Sequence, residues 1–309
     1  MANYDQIILN EYPLDDYEAE RAEYGHIVKV RDVERRDLAP GVTFCESVYR
    51  RGDGVDAWVY ITTVAPDANY QLAVSATPIR AVKFVKQHAA DFEKVNDRRV
   101  IYASNASFFH YFNGGDLTPY GIQVMNGVEI SLPVYGENKE KPWYSHNFLA
   151  VDKKGNAHIA NSDEFYNGLR YNLDFAVGGG LRLIRDGKIC LHHDPEFGPR
   201  TAVGFAADGT AILMCVDGRS ERSGGISYAD MIEIYTTLGY EIKELLNLDG
   251  GGSTTVVLRD EDGSHFVRNV PSGPPLPISY SKYGIMRGEP RGEEQARAVV
   301  DTLLIVEKK

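Results

Sequence analysis

Between Val42 and Ala76 the chain carries two strand-like runs, Trp58-Val59-Tyr60-Ile61-Thr62-Thr63-Val64 and Tyr70-Gln71-Leu72-Ala73-Val74, rich in β-branched and aromatic residues. The breaker Ala65-Pro66-Asp67-Ala68-Asn69 separates them. Thr77-Pro78 predicts a helix start, with Val82, Val85, His88 and Ala89 on helical spacing and Pro78 in the tolerated first turn. Val100-Ile101-Tyr102-Ala103 reads as a short buried strand running into the polar turn Ser104-Asn105-Ala106-Ser107-Phe108-Phe109. From Asn113 to Pro142, Gly, Pro and Asn predict long loops with short strands. Three hairpins follow, with turns at Asp152-Lys153-Lys154-Gly155, Arg185-Asp186-Gly187-Lys188 and Ala206-Ala207-Asp208-Gly209, because Gly takes positive φ without steric cost. The clearest helix spans Tyr228 to Leu238: Ser227 caps it, Met231, Ile234, Tyr235 and Leu238 form its apolar face, and Gly239 ends it. Strand Glu244-Leu245-Leu246-Asn247-Leu248 then enters a glycine triplet, and Thr254-Thr255-Val256-Val257-Leu258 leaves it. Pro271 to Pro277 is an irregular loop, and Val299 to Val306 a terminal strand.

Residues 1 to 40 are polar and acidic and read as an N-terminal extension lying on the body, with residues 41 to 309 as one domain. Overall, 43% hydrophobic and 25% charged residues describe a folded chain. The net charge of −11, with the Arg and Lys residues scattered among acids, argues against nucleic acid and anionic membrane surfaces as partners. Cys45, Cys190 and Cys215 form no CxxC pair, so neither a disulfide framework nor a structural zinc site is expected, and Cys190 and Cys215 read as buried thiols. The first residues lack a basic start and an apolar run, and no stretch approaches a membrane span. The chain as given therefore reads as soluble and cytoplasmic, or as secreted or periplasmic if a leader has been removed.

The strongest chemical signal is Asp249-Gly250-Gly251-Gly252-Ser253-Thr254. Three consecutive glycines are costly in a strand interior, but they let backbone N–H groups converge on one point. Such a nest binds anions, with the Ser253 and Thr254 hydroxyls as further donors and Asp249 projecting a carboxylate into the same space. A glycine-rich bulge without a ligand is the plain alternative. Other motifs are weaker. Asp217-Gly218 reads equally as a hairpin turn, Arg200 as a surface ion-pair residue, and Asn105 as a turn cap. His192-His193-Asp194 is a poor metal motif, since adjacent strand histidines point to opposite faces, while His110 and His146 stand in polar loops. Gly-Gly-Ser-Thr-Thr is not a nucleophile elbow, and neither a Walker loop nor a dinucleotide fingerprint occurs.

Taken in order, five motifs resemble the phosphodiester glycosidase family, which includes the lysosomal uncovering enzyme that removes N-acetylglucosamine from mannose 6-phosphate. They are Asn105-Ala106-Ser107-Phe108-Phe109, Ala176-Val177-Gly178-Gly179-Gly180, Pro199-Arg200-Thr201-Ala202-Val203-Gly204 followed by Val216-Asp217-Gly218-Arg219, Asn247 to Thr254, and Arg297-Ala298-Val299. The likeness runs from about Val42 to Val306 and leaves out residues 1–40 and the stretch 271–292. Ser107 stands where the family commonly carries Gly. The lysosomal enzyme's disulfides have no counterpart, as suits a bacterial or phage-type member.

The resemblance implies an α+β fold, with mixed twisted β-sheets flanked by a few α-helices, and cleavage of a sugar 1-phosphodiester. Phosphate leaves readily, so the site needs cations and N–H donors for its oxygens, and carboxylates for water activation and the oxocarbenium-like transition state. Asp249 and Asp217 would be the carboxylates, with roles left open between them, and Arg200 the phosphate cation. Asn105, Thr201, Arg219, Asn247, Ser253, Thr254, Gly179, Gly180 and the Gly250, Gly251 and Gly252 loop would bind substrate. The expected partner is a carbohydrate or sugar phosphate. No cofactor is expected, and nothing in the sequence supports a divalent metal. Two rivals are an exo-acting glycosidase on non-phosphorylated glycans and a non-catalytic glycan- or cell-wall-binding module.

Overall fold

Alternation in Asp56–Val64 and Ala211–Val216 sends neighbouring side chains to opposite faces of one sheet, and both faces are covered. Val59, Ile61, Ile212 and Met214 face one apolar cluster, whereas Tyr60, Val64, Leu213 and Cys215 face another. The computed structural model describes residues 25–77, 81–109, 117–132, 146–190, 196–272 and 296–309. These two strands lie inside an eight-stranded sheet ordered Val28–Ala39, Val42–Arg50, Asp56–Val64, Ala211–Val216, Arg200–Ala206, Ile242–Leu248, Arg182–Arg185, Lys188–Ile189. A five-stranded sheet is ordered His265–Val267, Val256–Arg259, Val100–Asn105, Asp301–Glu307, Tyr70–Ala76. Another five-stranded sheet joins Val128–Ser131, Gln123–Met125, Leu173–Gly178, Asn147–Asp152 and Ala157–Asn161. The pairings of the described strands are antiparallel.

The largest core lies where the three sheets meet, with Phe44, Tyr102, Phe175, Leu246, Leu248 and Ile305 among its buried members. Helix Tyr228–Thr236 covers the outer face of the large sheet through Met231, Ile232, Ile234 and Tyr235. Its start follows the expectation: the Asp230 N–H donates to the Ser227 hydroxyl at 3.1 Å, and the Ser227 N–H to the Asp230 carboxylate at 3.0 Å. The chain is thus an α+β protein with a few helices, as expected, and its described sheets are antiparallel. Among the described residues, no helix is long and apolar enough to cross a membrane. All three cysteines are free, and Cys190 and Cys215 are buried.

Three local expectations shift. The helix expected from Thr77-Pro78 begins at Val85 and ends at Asn96; residues 78–80 lie outside the described set. Lys83 instead pairs with Val299, its N–H donating at 3.0 Å and its carbonyl accepting at 2.8 Å, so a contact with the far end of the chain overrides helical spacing. Val28–Ala39, within the stretch read as an extension, is an edge strand of the large sheet; its exposed, charge-rich residues hid its strand character and also blunt the edge. The strand expected from Thr254 starts at Val256, because Gly251–Ser253 closes a single 3-10 turn.

Candidate active site at the glycine turn

Antiparallel pairing brings three of the sequence motifs to one end of the large sheet. Arg200 lies opposite Val216, and Thr201 lies opposite both Cys215 and Leu248, so Asp217 and Asp249 each follow a strand flanking the Arg200 strand. Two interstrand spacings put these carboxylate-bearing segments about 10 Å apart along the sheet. The glycines make the close approach feasible. A Cβ on Gly218 would stand 2.7 Å from the Pro199 nitrogen, and one on Gly250 would stand 2.5 Å from the Pro199 carbonyl oxygen. Pro199 is therefore clamped between the two turns, and its carbonyl accepts the Gly251 N–H at 2.9 Å. Gly251 adopts φ +59°, and the exposed Arg219 guanidinium lies above it, 3.2 Å from where a Cβ would be.

Asp249 hangs at the foot of this turn. Its N–H donates to the Ala106 carbonyl at 2.9 Å, and its own carbonyl accepts from the Asn105 side chain. The residue is half-buried; burial of its carboxyl pushes it up to about 7 and the nearby Asp301 adds to the rise, while Ser253, Arg297 and the Gly250 N–H oppose it. Arg297 reaches the Ser253 hydroxyl at 3.4 Å. Asp217 is of a different kind. Only 2% exposed, it accepts from the Tyr60 hydroxyl at 2.9 Å, the Asn269 amide at 2.9 Å and the Val270 N–H at 3.1 Å. Burial raises it to about 6 against those donors. Asn269 also donates to the Thr254 carbonyl and accepts the Val256 N–H, so Asp217 braces the strand that leaves the glycine turn.

The remaining predicted residues divide by accessibility. Asn105, expected to meet a sugar hydroxyl, is instead fully buried: its oxygen accepts from Thr201 at 2.9 Å and from the Thr255 N–H at 3.2 Å. Thr201 is buried with it. Asn247 donates to the Tyr228 hydroxyl at 3.2 Å, while its side-chain oxygen and the Thr254 hydroxyl are buried without a hydrogen-bond partner among the described residues. Gly180 abuts Asn247 and Phe108, Gly179 abuts Leu246, and Gly252 and Ser253 are buried within the turn. Arg200 stands at the same sheet end, but its guanidinium is engaged by the Ile226 and Glu196 carbonyls and lies over the Tyr228 ring at 4.3 Å.

Sequence reasoning did not single out Tyr60, Asn269, Tyr228 or Asp301 for this site. Asp301 accepts the Ser107 N–H and the Gln123 amide, each at 2.7 Å, and burial raises its carboxyl. Arg297 was visible as a motif residue without a place in the site. Of the weaker candidates, His110 and His192-His193-Asp194 lie outside the described residues. His146 is buried, its carbonyl accepting the Ser162 N–H. Among the described residues, no group of three or more His, Cys, Asp or Glu side chains is arranged to hold a metal ion.

A 75-residue stretch is 39% identical to the SPbeta prophage-derived uncharacterized protein YomE of Bacillus subtilis (strain 168), covering 24% of this chain and only 11% of that protein. The catalytic domain of zebrafish N-acetylglucosamine-1-phosphodiester alpha-N-acetylglucosaminidase, solved auto-inhibited by its pro-peptide, shares the fold with a TM-score of 0.59 at 19% identity. That match covers 92% of this chain and 89% of that domain. A hypothetical protein from Synechocystis matches with a TM-score of 0.57 at 14% identity, over 89% of this chain and 64% of the other. These two likenesses concern the fold alone. The family profile for phosphodiester glycosidase matches residues 98–305, which take in the glycine turn and every predicted site residue, and the chain belongs to the phosphodiester glycosidase family.

Proposed function

We propose that this protein hydrolyses the glycosidic bond of a sugar 1-phosphodiester, with Asp249 as the reacting carboxyl. The observation that carries this reading is the company Asp249 keeps: a carboxyl raised to about 7, at the foot of a backbone turn, with Arg297 and Ser253 beside it and Arg219 over Gly251. A carboxyl with that pKa exchanges protons readily near neutral pH, as acid–base work at an anomeric carbon requires. The phosphate oxygens would meet Arg219, Arg297 and the Gly250–Gly252 backbone, and Arg200 would hold the segments at Glu196 and Ile226 in place beside them. In the overall reaction the water oxygen bonds to the anomeric carbon, the bond from that carbon to the phosphate oxygen breaks, and a phosphomonoester departs. Asp217 and Asn105 act as positioning residues, since each is buried and its hydrogen bonds brace the strands around the turn.

The test is turnover of sugar 1-phosphate methyl diesters compared with nitrophenyl glycosides of the same sugars. Release of phosphomonoester, lost in Asp249→Asn with ligand affinity kept within a few-fold, supports the proposal. Turnover of the nitrophenyl glycosides alone would make the chain an ordinary exo-glycosidase. Glycan binding without turnover of either series would make it a binding module.

A further inference from the structure

The strands that carry the glycine turn also have opposite ends, and these build a second cleft. Phe205 is the penultimate residue of the Arg200 strand, Ala211 lies opposite both Phe205 and Val64, and Tyr70 begins the strand paired with Asp301–Glu307. At about 3.4 Å per residue, Phe205 is about 14 Å from Thr201 along the same strand, and Ala211 about 20 Å from Asp217. The cleft has a volume of about 950 Å³, in the range of small-molecule sites, and Leu72, Phe175 and Phe205 supply apolar surface to its wall.

Its charge departs from the rest of the chain. In a protein with 44 acidic and 33 basic residues, the cleft is lined by Arg98, Lys153, Lys154, Lys308 and Lys309 against the single acid Asp174. Arg98 is the decisive member. Its side chain is 8% exposed, its Nε donates to the Glu307 carbonyl at 2.8 Å, and its buried Nη2 has no hydrogen-bond partner among the described residues. A buried guanidinium without a full set of acceptors is costly unless an anion compensates it, and Asp174 does so only through space. The amides of Gln71, Asn96, Asn126 and Asn156 line the same wall and can meet hydroxyl groups.

We infer that this cleft, remote from the glycine turn, is a second binding site, which takes a phosphorylated, hydroxyl-bearing small molecule of about monosaccharide size through Arg98 and the lysines of its rim. The inference does not depend on the function proposed for Asp249. It is tested on the full chain carrying Arg219→Ala, which weakens phosphate capture at the glycine turn, by NMR and calorimetric titration with inorganic phosphate and with glucose 6-phosphate. The expected result is saturable binding, tighter for the sugar phosphate, with shifts at Lys153, Lys308 and the Asp174 strand. The pair Lys308→Ala and Lys309→Ala, half-buried and exposed respectively and outside the hydrophobic core, should weaken binding about tenfold or more, and Asp174→Asn should strengthen it. Arg98→Met should abolish binding, with circular dichroism reporting that the fold is kept. Shifts confined to the glycine turn, affinity indifferent to both lysines and to Asp174, or no saturable binding of either probe would each overturn the assignment.

Discussion

Replacing Tyr60 by Phe removes one hydroxyl and leaves the ring, so the stacking against Phe44 at 6.5 Å between centroids persists. What is lost is the donor to Asp217 at 2.9 Å and the acceptor for Arg222 at 3.3 Å. A hydrogen bond to a charged group contributes about 1.5–3 kcal/mol, and each pKa unit corresponds to about 1.4 kcal/mol. Asp217, already at about 6, should therefore move up by about one to two units. The folded pKa of Asp217 lies above its unfolded value of 3.8, so the folded state binds the proton more tightly. Its stabilising contribution is fully present below about pH 4 and is lost as pH rises through 6, amounting to about 3 kcal/mol by neutrality. Tyr60→Phe should extend that loss. Denaturant unfolding should show the variant about 1.5–3 kcal/mol less stable than the parent near pH 8, with a smaller difference near pH 4, where Asp217 is protonated in both. Carbon-13 NMR of labelled aspartate, with Asp217→Asn assigning the signal, reads the shift directly. In an Asp217→Asn background the Tyr60 effect should nearly vanish. An equal stability loss at both pH values, or an unmoved Asp217 titration, would refute the argument.

Other predictions concern the turn itself. Asp249→Asn should flatten the decline in stability between about pH 4 and pH 7, because the wild-type carboxyl is raised to about 7 and its contribution is lost as pH rises through that value; unfolding curves across the range check this. Gly250→Ala places a Cβ against the Pro199 carbonyl oxygen and should cost about 1–3 kcal/mol, while a Gly239→Ala control carries only the penalty of its φ of +87° with nothing within 4 Å to strike. Thermal unfolding should separate the two if crowding contributes beyond backbone strain. Asn105→Ala strands the Thr255 N–H and the Thr201 hydroxyl in a buried site and should lower stability by about 2–4 kcal/mol, whereas Asn105→Asp should leave the Asp249 carbonyl without its donor and be no milder. Reductant should leave the melting temperature unchanged, since the three cysteines are free.

The site motifs were readable because each leaves a chemical oddity in one short stretch. Gly250 to Gly252 is improbable in a strand interior, and the structure gives the reason at two of them: the Pro199 carbonyl occupies the space a Cβ on Gly250 would need, and Gly251 adopts φ +59°. Asn105, Asp217 and Asp249 stood out as polar residues closing apolar runs, and the order of the family motifs drew them together where turn chemistry alone left a structural reading open. Tyr60 and Asn269 left no such trace. Tyr60 sits mid-strand as an ordinary aromatic, and Asn269 follows a short half-buried strand, so their bonds to Asp217 across 157 and 52 residues had no local signature.

By itself the sequence determined the capped helix after Ser227 and the hairpin turns, because period-two alternation, capping and turn chemistry are local properties, while the α+β class and the family followed from the ordered motifs that resemble the phosphodiester glycosidases. Tertiary structure alone decided that Lys83 is held extended by Val299, that Val28–Ala39 joins the sheet, and that Asp217 is buried while Asp249 is half-buried. It also decided that Arg219 lies over Gly251 and Arg297 reaches Ser253, while the Arg200 guanidinium is engaged by the Ile226 and Glu196 carbonyls, and that five cations from distant segments share one cleft. The physical reason is the same throughout. Burial, register and the fate of a charge depend on which strand ends the sheets bring together, and sequence neighbours do not encode that.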